Sequence, residues 1–214
     1  MSTPSLELWL LRHGATAWAR SGLHTSRTDL PLLPEGEEEA RALAPVLAPI
    51  PFRAVLVSPL QRARRTCELA GLAEGAQLCD DLREWDYGAY EGISTAEIRR
   101  QVPGWTVFSH PCPGGESQGT VEERCRRVLE RCQRLAGDGG AIALFAHGHI
   151  LRSLAGTWLG LGPAGGALLS LETGTVSVLG LERETAVLRH WNAPVQAARL
   201  GRGAIPVAPA VPSP

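Results

Sequence analysis

Three strand-length apolar runs each stop abruptly at titratable or hydroxyl-bearing residues, and this constrains the fold more than any other feature. Residues 6–11 run into Arg12, His13 and Gly14; 54–57 into Ser58; and 141–146 into His147, Gly148 and His149. Apolar runs of this length that do not alternate with polar residues read as strands buried on both faces, as in a sheet covered by helices. Helical patterns lie between and after them, at 34–48, 60–72, 94–102, 120–137 and 149–160. The third opens with a capping-box pattern, Ser94 followed by Glu97. A short strand near 76–80 and a hairpin over 175–182 and 186–191 complete the set. The alternation predicts an α/β protein, a three-layer α/β/α sandwich around a largely parallel sheet. Residues 1–191 are expected to form one domain. Within it, 82–117, aromatic and acidic, should form a small cap over the sheet's carboxyl edge. Residues 192–214, rich in Ala, Pro and Gly, are expected to be a tail without fixed structure.

Ligands of such sheets bind outside the carboxyl ends of the strands. The topology would therefore gather Arg12 and His13, Ser58, and His147 with its two followers at one edge. Arg62, in the first turn of the helix after Ser58, would approach that edge with the positive end of the helix dipole. Two guanidiniums, at least two imidazoles and a helix N-terminus make an electropositive pocket suited to a tetrahedral dianion. Gly14 would let the backbone approach whatever binds there. Glu84, in the cap loop, adds a proton donor, because a carboxyl beside a bound phosphate is raised in pKa by desolvation and repulsion.

Composition removes several other classes. The 214 residues carry a net charge of -1 with 44% hydrophobic and 20% charged residues, as in an ordinary soluble domain. Nothing in that balance advertises nucleic acid. All 21 basic residues are arginine, which excludes a Walker P-loop and Schiff-base chemistry, since both need lysine. The five cysteines, Cys67, Cys79, Cys112, Cys125 and Cys132, contain no C-x-x-C. Free thiols in a reducing cytoplasm are expected, with no signal peptide and no membrane span. No feature speaks to oligomeric state.

Taken in order, LRHGATAW, SPLQRARRT, LREWDYGAYEG, PGGES and FAHGH resemble the histidine phosphatase superfamily, in the branch that includes cofactor-dependent phosphoglycerate mutases. The resemblance runs from about residue 6 to 191. It implies that His13 is a nucleophile taking the phosphoryl group on nitrogen. Arg12, Arg62 and a protonated His147 would bind the phosphoryl oxygens. Glu84 would protonate the leaving alkoxide and then activate water, with no metal or other cofactor. The segment SGLHTSRTDLPL (21–32) resembles the sedoheptulose-bisphosphatase-like members, which adds His24 and Thr25 as substrate contacts. Gly14, Tyr87 and Gly148 join them, and Ser58 either shapes its turn or donates a hydrogen bond to substrate. The pattern departs from the family at Ala15 and Ala19, where an acid and an asparagine are frequent. One phosphate contact is therefore missing or supplied elsewhere.

Mutases follow their acidic glutamate with a basic residue and carry a longer cap, whereas here Trp85 follows Glu84 and the cap is short. A phosphatase for a small phosphorylated metabolite is expected, with sugar phosphates or bisphosphates favoured. The alternatives are a mutase and a non-catalytic phosphoanion-binding protein. His147, His149, His13 and His24 as metal ligands are a weaker possibility, because no carboxylates accompany H-x-H at a recognisable spacing. GLGPAG (160–165) has the letters of a dinucleotide loop, but it follows a helix and contains Pro163. Arg20, Arg27 and Arg152 are candidates for binding a second anionic group. The arginines of the 120–137 helix read as its solvated face, and Glu116 as a residue orienting the site.

Overall fold

The computed structural model describes residues 6–195. The elements run β1 (Leu6–Arg12), α1 (Ala17–Ser21), α2 (Pro34–Leu47), β2 (Phe52–Val57), α3 (Gln61–Leu69), β3 (Gln77–Leu78), α4 (Thr95–Gln101), α5 (Gln118–Ala136), β4 (Gly140–Ala146), α6 (Gly148–Trp158), β5 (Val176–Glu182) and β6 (Thr185–Ala193). Short 3-10 turns lie at Asp80–Leu82, Gly88–Tyr90 and Pro163–Leu168.

The strands form one six-stranded mixed sheet in the order β3-β2-β4-β1-β5-β6. The first four are mutually parallel, and β5 runs antiparallel to both β1 and β6. Because side chains alternate along a strand, each central strand feeds two cores. Leu8 and Leu10 of β1 join Ile142 and Leu144 of β4 against Val121, Val128, Leu151 and Leu154 of α5 and α6. Trp9 and Leu11 join Ala143 and Phe145 against Leu43, Leu47, Ala63 and Cys67 of α2 and α3. Full burial of each leucine contributes about 1.5–3 kcal/mol, so a slip of one residue in β1 would exchange the two cores.

The cap aromatics do not stand as an open lid. Trp85, Tyr87, Trp105 and Phe108 are buried and belong to the α5/α6 core. The expected tail is corrected at its start, because Asn192 and Ala193 are the last residues of β6; its remainder from 196 onward lies outside the described residues. All five cysteines are free and buried. Among the described residues no helix is long and apolar enough to cross a membrane.

Candidate active site

The register of the two central strands builds the site. Arg12 pairs with Ala146 at the ends of β1 and β4. The next residues stay joined, His13 N–H donating to the Ala146 carbonyl at 3.0 Å and Ser58 N–H to that of Phe145 at 2.9 Å. His13 and His147 thus face each other with ring centroids 5.1 Å apart.

His13 is buried, and its Nδ1 lies 2.8 Å from the Gly14 carbonyl oxygen. A carbonyl only accepts, so Nδ1 carries the proton and Nε2 keeps its lone pair. Burial, followed by the charges of Arg62 and Arg12, holds this imidazole well below its ordinary pKa. The ring is neutral at neutral pH, with its lone pair free on Nε2. The loop behind it is secured by Gly14 N–H to Thr66 Oγ1 at 3.1 Å and Ala15 N–H to Glu39 Oε2 at 2.9 Å.

Arg12 donates from Nη1 to the Leu171 carbonyl, while its buried Nε has no partner among the described residues. Gly148 makes room for this guanidinium: a Cβ there would already touch Arg12 Cζ and Nε at 3.4 Å. Arg62, fully buried, donates from Nε to His147 Nδ1 at 3.1 Å and from its terminal nitrogens to the carbonyls of Thr25, Ser26 and Thr28. His147 must then hold its proton on Nε2, which donates to Ser58 Oγ at 2.7 Å. Burial, then Arg62, lowers its pKa well below the usual value. The expected protonated His147 is therefore corrected to a neutral one. Positive charge next to His13 comes from Arg62 and Arg12.

Glu84 is buried at the N-terminus of α6. Its Oε1 accepts from the N–H groups of Trp85 and Ile150, both at 2.9 Å, and its Oε2 from His149 N–H at 3.0 Å. Oε2, with a single such bond, keeps capacity for a proton or a further contact. The helix end most exposed to the cavity is thus turned toward this carboxyl.

Arg12, His13, Glu84 and Gly148 line one cavity of about 240 Å³ together with Thr16, Ala19, Leu23, His24, Thr25, Tyr87, Thr95, His149, Arg152 and Leu171. Its far wall is a contiguous set of rings. His24 lies 4.6 Å from Tyr87 and 5.8 Å from His149 between centroids. His24 Nε2 meets Thr95 Oγ1 at 3.2 Å, and Tyr87 Oη meets His149 Nδ1 at 2.5 Å. Burial pushes the His24 pKa down to about 4 and that of His149 well below the usual value. The wall is polar but uncharged except at Arg152. That side chain sits over Phe108 at 4.6 Å, donates to the Gly166 carbonyl, and has no carboxylate partner among the described residues. Arg20 and Arg27, by contrast, pair on the surface with Glu35 and Asp86.

Two expected contacts are corrected. Gly14 does not face the cavity; it is a glycine because the first turn of α2 presses on it, an added Cβ falling 2.1 Å from the Gly36 carbonyl oxygen. Ser58 is fully buried behind His147; of its two readings the structure supports the turn, its Oγ accepting from Leu60 N–H at 3.4 Å and from the His147 ring, while it does not face the cavity. Arg124, read as part of a solvated face, is buried and ion-paired with Glu116. Sequence reasoning missed Thr16, Thr95, Leu23 and Leu171. It also missed Thr66, although its position four residues after Arg62 places the two on one helix face. The histidines do not gather as metal ligands, since His147 is committed to Arg62 and Ser58. Among the described residues no three ligand-type side chains are grouped to hold an ion.

A neutral imidazole, one buried and one half-buried guanidinium and a carboxyl at the carboxyl edge of an α/β sheet suit phosphoryl transfer. Comparison with known proteins agrees. The model of the histidine phosphatase superfamily, branch 1, matches residues 8–194, and the chain belongs to that family. It is similar to an acid phosphatase of Mycobacterium tuberculosis, 34% identical over 193 residues, covering 88% of this chain and 94% of the relative. It is also 36% identical over 182 residues to a sedoheptulose 1,7-bisphosphatase of Saccharomyces cerevisiae, covering 72% and 67%. The solved structure of an open reading frame product from Mycobacterium tuberculosis superposes with a TM-score of 0.84 at 32% identity, over 89% of this chain and 98% of that one. The protein is an enzyme, a phosphatase of this family.

Proposed function

We propose that the enzyme hydrolyses small sugar phosphates or bisphosphates through a phosphohistidine, without metal or cofactor, inside the cell. His13 Nε2 attacks phosphorus as the ester P–O bond breaks, and the leaving alkoxide takes a proton from Glu84. Water then attacks the P–N bond and gives its proton to Glu84. Phosphate departs, His13 Nε2 recovers its lone pair, and Glu84 is protonated again for the next turnover. Arg12 and Arg62 carry the charge that builds on the phosphoryl oxygens. The neutral His147 contributes an oriented ring beneath them. The observation that carries the reading is a buried His13, with its lone pair on Nε2, in one cavity with Arg12 and Glu84.

The far wall supports the substrate class. Neutral His24, Tyr87 and His149 offer donors and acceptors to hydroxyls, and Arg152 offers an uncompensated charge to a second anionic group. The yeast relative's bisphosphatase activity accords with this, and the free cysteines with a reducing compartment.

The test is phosphate release in the presence of chelator from sedoheptulose 1,7-bisphosphate, fructose 1,6-bisphosphate, 3-phosphoglycerate, ribazole phosphate and an aryl phosphate. Rapid release from one or two sugar phosphates, reduced by at least about a thousandfold in His13→Ala, is expected. Full activity of His13→Ala, or loss in chelator restored by a divalent ion, would overturn it.

A further inference from the structure

We infer that Glu116 and Arg124 form a clamp that positions Glu84 for proton transfer to the leaving group. The inference rests on the role proposed for Glu84 above. Glu84 makes no contact with either residue; the clamp holds the main chain on both sides of it. Arg124 Nη1 donates to the carbonyls of Asp81 and Arg83 at 2.8 and 2.9 Å. Glu116 Oε2 accepts from Asp86 N–H at 2.9 Å, and Glu116 N–H donates to the Asp86 carbonyl at 2.9 Å. Trp85 Nε1 donates to the Glu116 carbonyl at 3.2 Å. The two side chains are joined through two parallel bonds, Nε to Oε1 at 2.8 Å and Nη2 to Oε2 at 2.7 Å, with side-chain exposures of 9% and 17%.

The result is a short segment, 81–86, whose backbone is tied to α5 and the loop before it on one side. On the other side it delivers one carboxyl to the amides of α6. A buried ion pair gains little stability over apolar packing of the same shape. What a two-bond Arg–carboxylate pair adds is fixed geometry. Here the geometry it fixes is the backbone flanking Glu84, within a site where small displacements of a reacting group carry a large rate cost. Glu116 and Arg124 touch neither cavity nor substrate, so they are positioning residues.

Leaving-group chemistry separates this role from a merely structural one. A positioned acid matters in proportion to the basicity of the leaving oxygen. A sugar alkoxide needs the proton, whereas nitrophenolate departs without it. The parameter to compare is kcat/KM, which covers only steps up to departure of that group. Glu116→Gln and Arg124→Lys should lose roughly 10–100-fold on fructose 1,6-bisphosphate and less than about twofold on p-nitrophenyl phosphate. Glu84→Gln should show the same asymmetry, and adding Glu116→Gln to it should cost nothing further on the sugar phosphate. Equal losses on both substrates, or full additivity in the double variant, would overturn the clamp. Glu84→Gln without asymmetry, or activity that survives in His13→Ala, would instead sink the underlying reading. Should Glu116→Gln fail to fold, Arg124→Lys, which keeps the charge and one carbonyl contact, carries the same comparison, with a thermal melt confirming the fold.

Discussion

A methyl group added at Gly14 would lie 2.1 Å from the Gly36 carbonyl oxygen, backbone against backbone, with no flexible side chain able to yield. Gly14→Ala is therefore expected to destabilise the fold by about 3 kcal/mol or more, read as a lower urea midpoint. Gly148→Ala, whose new methyl would meet only the Arg12 guanidinium at 3.4 Å, should leave the midpoint within about 1 kcal/mol of wild type. Similar midpoints for the two would refute the assignment of Gly14 to packing. Glu84→Gln removes a proton donor while keeping acceptors for two of the three amides. It should lower kcat/KM for sugar phosphates by roughly 10²–10⁴ and let an acid-labile phosphoryl group build up on His13 in quenched mixtures. A variant that turns over normally, with no such accumulation, would remove Glu84 from both steps.

Thr66 shows how an element carries a site from beneath. From the second turn of α3 its hydroxyl donates to the Arg62 carbonyl at 2.7 Å and accepts from Gly14 N–H at 3.1 Å. Thr66→Val keeps the shape but orphans the buried Gly14 amide next to His13. A loss of about 1–3 kcal/mol follows, with Thr66→Ser near wild type in the same denaturation series; equal losses would show that the methyl, not the hydroxyl, matters. At this scale the sequence was informative where burial is two-sided. β1, β2 and β4 are mostly apolar, broken only near their starts by Glu7 and Arg53, because helices cover both faces, and the polar residues at their far ends mark the candidate site's edge. The Ser94–Glu97 capping box is equally local and is present as read. Elements held by distant contacts were less legible. α1 spans five residues, too few for any periodicity, and depends on the Thr16 cap and Gly22 in the left-handed region. Arg124 looks like its exposed neighbours Arg126 and Arg127, because its partner Glu116 lies before the helix begins. Glu84 was read as a proton donor from its place in the cap loop, but no local pattern reveals that its carboxyl meets α6. Gly14 was placed at the right edge but assigned the wrong neighbour, and of the two readings of Ser58 only the turn-shaping one holds, because direction at a strand end depends on tertiary packing.

At the scale of the whole molecule, four histidines on or beside one cavity, three buried and His149 half-buried, are held in neutral form, and this couples folding to pH. Burial is the largest cause for His13, His24, His147 and His149 alike, and all titrate below the ordinary 6.5. In the unfolded chain they protonate as pH falls through about 6.5, whereas the folded protein resists. The unfolded state then binds more protons, so stability must fall with pH in that window. The stabilisation is fully present above 6.5. For His24 the loss ends near its folded value of about 4, an interval corresponding to about 3 kcal/mol. His24→Gln should be less stable than wild type at pH 7.5, because it gives up the Thr95 contact and ring packing against Tyr87. It also has one fewer imidazole to protonate, so its stability should decline less steeply, and the two curves should converge between pH 6.5 and 4. Urea unfolding across that range decides the matter. Parallel curves would mean that His24 titrates alike in both states and that the far wall of the cavity is wetter than its packing implies. Convergence would establish that the folded protein keeps this wall uncharged, which leaves Arg152 as its only cation.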